Sequence, residues 1–150
     1  MVTDPISDDG KQLLTDANIK VEDASGEKSF SKLDLSDING WIVRSRTTVT
    51  AKNIEQAENL RVIGRAGVGV DNIDIHAATM KGVLVMNTPN ANTISATEHT
   101  VALILALARN VHEGYHSMIH GNWEREKLIG TELRNKTIGV VGLGKIGTEV

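Results

Sequence analysis

Short apolar runs alternate with helical spacings over the first part of the chain. Val2-Thr3 forms a strand stub, and Ile19-Lys20-Val21, Trp41-Ile42-Val43, Arg61-Val62-Ile63 and Val83-Leu84-Val85-Met86 follow as strand candidates. Between them, Asp8 to Ala17, Phe30 to Leu35, Ala51 to Asn59 and Ile73 to Lys81 carry helix-compatible spacing. Such β-α alternation predicts a parallel sheet with crossover helices.

After Met86 the pattern changes. Thr93 to about Gly121 predicts one long helix with Ile94, Val101, Ile104, Leu105, Ala108 and Val111 broadly on one face. It is expected to bridge two lobes, residues 1–90 and 91–150. Ser95-Ala96-Thr97-Glu98 has the spacing of a capping box at its start. A polar stretch from His120 to Lys136 leads to an apolar strand candidate, Thr137 to Val141. Gly142-x-Gly144-x-x-Gly147 follows it, and the sequence stops at Val150.

That glycine spacing, after a strand and before a helix, is a dinucleotide-binding fingerprint. Gly142 permits the tight turn, Gly144 lets backbone approach a pyrophosphate, and Gly147 lets the helix pack on the strand. The acidic residue that reads the ribose falls about 20 positions further on, past Val150, so the pattern leaves NAD and NADP open.

Composition narrows the partners. The net charge of -3 is mild and the basic residues are scattered, which argues against nucleic acid. The absence of cysteine removes disulfides and thiol chemistry and suits a cytoplasmic home. The longest apolar run, Val101 to Ala108, is far short of the roughly 20 residues a membrane helix needs. Aromatic residues are few (Phe30, Trp41, Tyr115, Trp123), so the core is expected from Val, Ile, Leu and Ala, with strands covered on both faces.

In open α/β sheets, ligands bind beyond the carboxyl ends of the strands. There the sequence offers Arg44-Ser45-Arg46-Thr47-Thr48, Gly64-Arg65-Ala66-Gly67-Val68-Gly69 and Asn87-Thr88-Pro89-Asn90. Arginine forks suit carboxylate and phosphate, making Arg44 and Arg65 the first candidate anion binders; alternatively they pair with an acid such as Asp71 or Asp74. Gly67-Val68-Gly69 reads as a small anion nest or as an ordinary turn. Asp71, Asn72 and Asp74 read as turn and helix-cap residues.

These motifs, with Val70-Asp71-Asn72-Ile73-Asp74, Val85-Met86-Asn87 and Gly142-Leu143-Gly144-Lys145-Ile146-Gly147, resemble the D-isomer-specific 2-hydroxyacid dehydrogenases, in order along the whole chain. The resemblance implies an α/β architecture: a flavodoxin-like substrate lobe, a long bridging helix and the start of a Rossmann lobe binding NAD. It is strongest to the branch that oxidises D-3-phosphoglycerate at the entry to serine synthesis. By that resemblance Arg44, Ser45, Arg65, Val68 and Gly69 face a small phosphorylated 2-hydroxy acid, and Arg125 reaches a neighbouring subunit's site. Val68, Thr100, Gly142, Gly144, Lys145, Ile146 and Gly147 face the cofactor. A homodimer or homotetramer is implied for the full-length protein.

The family's catalytic Arg, Glu and His lie after the fingerprint, beyond Val150. None of His76, His99, His112, His116 and His120 occupies that motif. The chain alone is therefore expected to be inactive. Two other readings compete: a non-catalytic metabolite-binding lobe, and a zinc hydrolase built on His112-Glu113-Gly114-Tyr115-His116 with His120 or Glu132 as third ligand. Gly114 inside the motif and its place near a helix end weigh against zinc.

Overall fold

The computed structural model describes residues 1–26 and 33–150. They divide into two compact units, Met1–Ala91 and Asn92–Val150. Of the helix expected at Phe30 to Leu35, residues 30–32 lie outside the described ones, and residues 33–35 are not helical.

In the first unit, β1 (Gly40–Val43), β2 (Val62–Arg65) and β3 (Leu84–Asn87) form a parallel sheet in that order. Val2 adds a bridge to Ile42 on one side and to Asp23 on the other, both parallel. The resulting order is Asp23, Val2, β1, β2, β3. Numbered along the chain this is 2-1-3-4-5, the flavodoxin-like arrangement, whose switch point lies between the Val2 stub and β1.

The second bridge sits at Asp23 rather than at Ile19-Lys20-Val21. Helix α1 (Asp8–Asp16) accounts for the shift. Asn18 takes a left-handed conformation (φ 57), Asn18 N donates to Thr15 O, and Ile19 N donates to Leu14 O. This is a Schellman cap, so Ile19 belongs to the helix end and pairing begins later.

Helices α2 (Ala51–Gln56) and α3 (Ile75–Lys81) are the crossovers after β1 and β2. A reciprocal capping box starts α2, with Asn53 N donating to Thr50 Oγ1 and Thr50 N donating to Asn53 Oδ1. Asp74 caps α3 by accepting from Ala77 N, as its position in the sequence suggests. Ile54, Ala57 and Ala78 from these helices pack with Trp41, Val43 and Ile63 of the sheet. Trp41 is fully buried, and its indole N–H donates to Thr3 Oγ1.

Coverage of both faces is not realised throughout this unit. Leu84 and Met86 of β3 remain 59% and 55% exposed.

In the second unit the long helix is two. Helix α4 (Thr93–Ala108) ends before Asn110, which adopts φ 52 and ψ 37, and α5 (Val111–Ile119) follows. Asparagine enters the left-handed region more readily than most residues, and Asn110 Nδ2 donates to Ile129 O across the break. Thr131 N donates to Ala108 O, and a Cβ at Gly130 would stand 2.4 Å from that same oxygen. The break is thus built around a glycine contact. Along the expected apolar face, Ile104 and Ala108 are half-buried, whereas Ile94, Val101, Leu105 and Val111 are exposed.

The capping box at Ser95 to Glu98 does not form. Asn92 is the cap, without a side-chain bond, and Ser95 already lies within the helix. A 3-10 turn spans Arg125–Leu128, and α6 is Lys145–Glu149. Thr137 to Val141 does not form a strand, since no described segment pairs with it. No helix among the described residues is long and apolar enough to cross a membrane.

Candidate functional site

The carboxyl rim of the first unit gathers most of the candidate chemistry. Register places Val43 beside Arg65 and Arg65 beside Asn87, so the three strands end level. The loops leaving them are tied together. Asn72 Nδ2 donates to Arg44 O and Thr47 O, Asn87 Nδ2 donates to Val68 O, and Thr88 N donates to Gly67 O.

Arg44 and Ser45 are exposed on this rim, and one Arg44 amino group reaches Pro5 O at 3.3 Å. Arg65 is half-buried with its guanidinium lying over Gly67. A Cβ on Gly67 would stand 1.7 Å from Arg65 Nη1, so glycine here leaves room for the planar fork. Arg65 Nε is buried and has no hydrogen-bond partner among the described residues. A buried donor in that state costs about 1–3 kcal/mol, and an anion on the rim is the kind of group that would satisfy it. Neither Arg44 nor Arg65 forms an ion pair with Asp71 or Asp74 among the described residues.

The Gly67-Val68-Gly69 nest is not formed. Gly67 N donates to Arg65 O, and neither glycine takes the positive φ that turns successive N–H groups to one side. Gly69 is small for another reason: a Cβ would stand 2.6 Å from Asp71 Oδ1.

Two rim residues are not singled out by the sequence pattern. Asp4, buried at the switch point, accepts from Arg44 N, Thr47 N and Thr47 Oγ1. Asn72 is legible there only as a turn former. The available signal for Asp4 is its place directly after the Val2-Thr3 stub, where an acid meets the same rim as Arg44.

The second unit holds the glycine fingerprint. Gly142 has φ 98, a value that favours glycine. A Cβ on Gly147 would lie 2.1 Å from Gly142 O, while nothing stands within 4 Å of one on Gly144. Gly144 precedes α6, followed by Lys145 and Ile146. The turn, the close packing and the open approach suit a pyrophosphate. Thr100 is half-buried, its hydroxyl donating to Ala96 O within α4, and Arg125 is exposed at the 3-10 turn.

The zinc reading finds no geometric support. His116 and His120 stack with ring centroids 4.4 Å apart, and His120 Nδ1 meets His116 O. Among the described residues no group of three or more His, Asp or Glu side chains is placed to hold a metal ion.

An open parallel sheet with a basic carboxyl rim, accompanied by a dinucleotide-type turn, defines a class of α/β nucleotide-dependent enzyme architecture. The chain belongs to the D-isomer specific 2-hydroxyacid dehydrogenases, whose catalytic-domain model matches residues 1–144. Over 151 aligned positions and all of this chain it is 48% identical to D-3-phosphoglycerate dehydrogenase of Homo sapiens. It is 46% identical to the Archaeoglobus fulgidus protein of the same name. The chain spans 28% and 29% of those relatives. Among solved structures, a Thermus thermophilus protein superposes with TM-score 0.89 at 32% identity, covering 99% of this chain and 50% of that one. An NAD-dependent formate dehydrogenase from Staphylococcus aureus, in complex with NAD, gives 0.81 at 31% identity, covering 94% and 44%.

Proposed function

We propose that this chain is the N-terminal part of an NAD-dependent dehydrogenase that oxidises D-3-phosphoglycerate to 3-phosphohydroxypyruvate, at the entry to serine synthesis. The observation that carries the reading is Arg65, half-buried at the end of β2 with Nε unpartnered among the described residues, beside the exposed Arg44 on the same rim. Two guanidinium groups on one rim suit a substrate with a carboxylate and a phosphate. The names of the two relatives, both D-3-phosphoglycerate dehydrogenases at 46% and 48% identity, support the substrate choice.

In this reading residues 1–90 are the substrate lobe and residues 91–150 begin the cofactor lobe. Arg44, Ser45 and Arg65 hold the anionic groups, and the Val68-Gly69 loop touches the substrate carboxylate and the nicotinamide. Gly142, Gly144, Lys145, Ile146 and Gly147 receive the pyrophosphate, Thr100 lines the nicotinamide side, and Arg125 reaches a second subunit's site in a homodimer or homotetramer. Bound NAD supplies the acceptor for the C2 hydride. The chain itself supplies charge and position. A cytoplasmic location fits this chemistry.

The test is a steady-state assay of the full-length protein with NAD and 3-phosphoglycerate, reading NADH absorbance. NADH formation supports the proposal. Turnover of unphosphorylated 2-hydroxy acids in its place would reassign the substrate, and binding of nucleotide without turnover of any would reduce the protein to a metabolite-binding role.

A further inference from the structure

The turn that carries Arg44 and Ser45 is gripped from both sides. Asp4, 1% exposed, puts Oδ2 at 2.5 Å from Arg44 N and 3.1 Å from Thr47 N, and Oδ1 at 2.9 Å from Thr47 Oγ1. Asn72, from the loop after β2, donates through Nδ2 to Arg44 O at 2.7 Å and Thr47 O at 2.6 Å. The same two residues are therefore held on both their N–H and their C=O groups. Ser45 and Arg46, between them, stay exposed.

The side-chain types follow from the job. A carboxylate accepts from three donors without bringing a donor of its own, and a primary amide gives two N–H bonds from one atom. Aspartate at position 72 would face two carbonyl oxygens, whereas asparagine at position 4 could keep its oxygen on both N–H groups and turn its N–H2 to the Thr47 hydroxyl, which accepts as well as donates, so only removal of the side chain abolishes that grip. Both grips come from residues far away in sequence, Asp4 after the Val2 stub and Asn72 in the loop after β2, so the turn's shape is set largely by its neighbours at the sheet rim.

We propose that Asp4 and Asn72 are positioning residues that preset the Arg44–Thr47 turn for the anionic substrate. The inference rests on the proposed substrate site. A preset turn lowers the ordering required when substrate binds, so loosening it weakens substrate affinity while the glycine turn of the other unit is untouched.

The experiment uses the full-length enzyme with Asp4→Ala, Asn72→Ala, Thr47→Val and Thr47→Ser. Loss of either grip is expected to raise KM for 3-phosphoglycerate about tenfold or more and to leave KM for NAD within about twofold. Thr47→Val follows that pattern and Thr47→Ser, which keeps the hydroxyl, restores near-parental KM. Unchanged KM in variants with parental circular dichroism overturns the proposal, as does an equal rise in both KM values. If Asp4→Ala does not fold, Asn72→Ala and the Thr47 pair decide. If the parent enzyme does not turn over 3-phosphoglycerate, the proposed function fails. Amide hydrogen exchange at Arg44 and Thr47, unchanged in Asp4→Ala, would independently overturn the grip.

Discussion

Gly147 sits so close beneath Gly142 that a Cβ at Gly147 would stand 2.1 Å from the Gly142 carbonyl oxygen. Gly67 is equally crowded, but its neighbour is the tip of the flexible Arg65 side chain, at 1.7 Å from a Cβ placed there. Backbone yields poorly and a side-chain tip yields easily. Gly147→Ala is therefore expected to destabilise the turn by about 1–3 kcal/mol and to weaken NAD binding at least about tenfold in the full-length enzyme. Gly67→Ala should leave the melting temperature nearly unchanged while raising KM for the substrate, because it displaces Arg65. Calorimetric NAD titration and thermal melts separate the two, and equal effects on melting would refute the distinction.

Arg44→Ala removes an exposed guanidinium that donates to Pro5 O at 3.3 Å. Stability should hardly change. KM for 3-phosphoglycerate is expected to rise about tenfold to a hundredfold, the loss of one charge-assisted bond, with KM for NAD close to parental. Kinetics identical to the parent's would remove Arg44 from the site.

Lys81 closes the end of α2. Its ammonium donates to Ile54 O at 2.5 Å, Glu55 O at 3.0 Å and Ala57 O at 2.9 Å, where the helix leaves carbonyls unpaired and the dipole favours a cation. Lys81→Met keeps the stem and loses the charge. About 1–3 kcal/mol of stability should be lost, seen as faster amide exchange along α2, and protection equal to the parent's would show the cap to be inert.

Asp23 is held well below the usual carboxylate range, first by its hydrogen-bonded pairing with Lys11 at 2.6 Å and then by the Ser25 hydroxyl and backbone N–H. A carboxylate whose folded pKa is depressed contributes stability above its unfolded pKa of about 3.9, and that contribution disappears as pH falls through the folded value. Asp23→Asn should lower stability at neutral pH slightly, since the pair is solvent-screened, and flatten the acid limb below about pH 4. An acid limb as steep as the parent's would contradict the assignment.

Trp41-Ile42-Val43 was legible because burial selects branched and aromatic side chains, and Val83 to Met86 was legible as an apolar run although Val83 alone in it is buried; each lies within one position of the observed β1 or β3. Asp74 as a cap was legible because the side chain acts on its own helix. What failed depended on backbone conformations or on partners elsewhere. Nothing in the spacing of Thr93 to Gly121 announced that Asn110 would go left-handed, since the stitching comes from Ile129 and Thr131. Thr137 to Val141 has the composition of a strand, but strand status needs a neighbour. At the rim, Arg44 and Arg65 stood out by chemistry, while Asp4 acts through backbone N–H groups 40 or more positions away, a relation visible only in three dimensions.

The Val2 stub has a practical reading. Val2 lies between Asp23 and Ile42, so the earliest residues of this sequence occupy an inner row of the sheet instead of its margin. During synthesis Val2 waits for β1 before its inner pairing can close. Trimming residues 2–4 would split the sheet and release the carboxylate under the Arg44 turn together. Variants altered in these first residues are therefore expected to lose substrate affinity well before anything changes at the glycine turn.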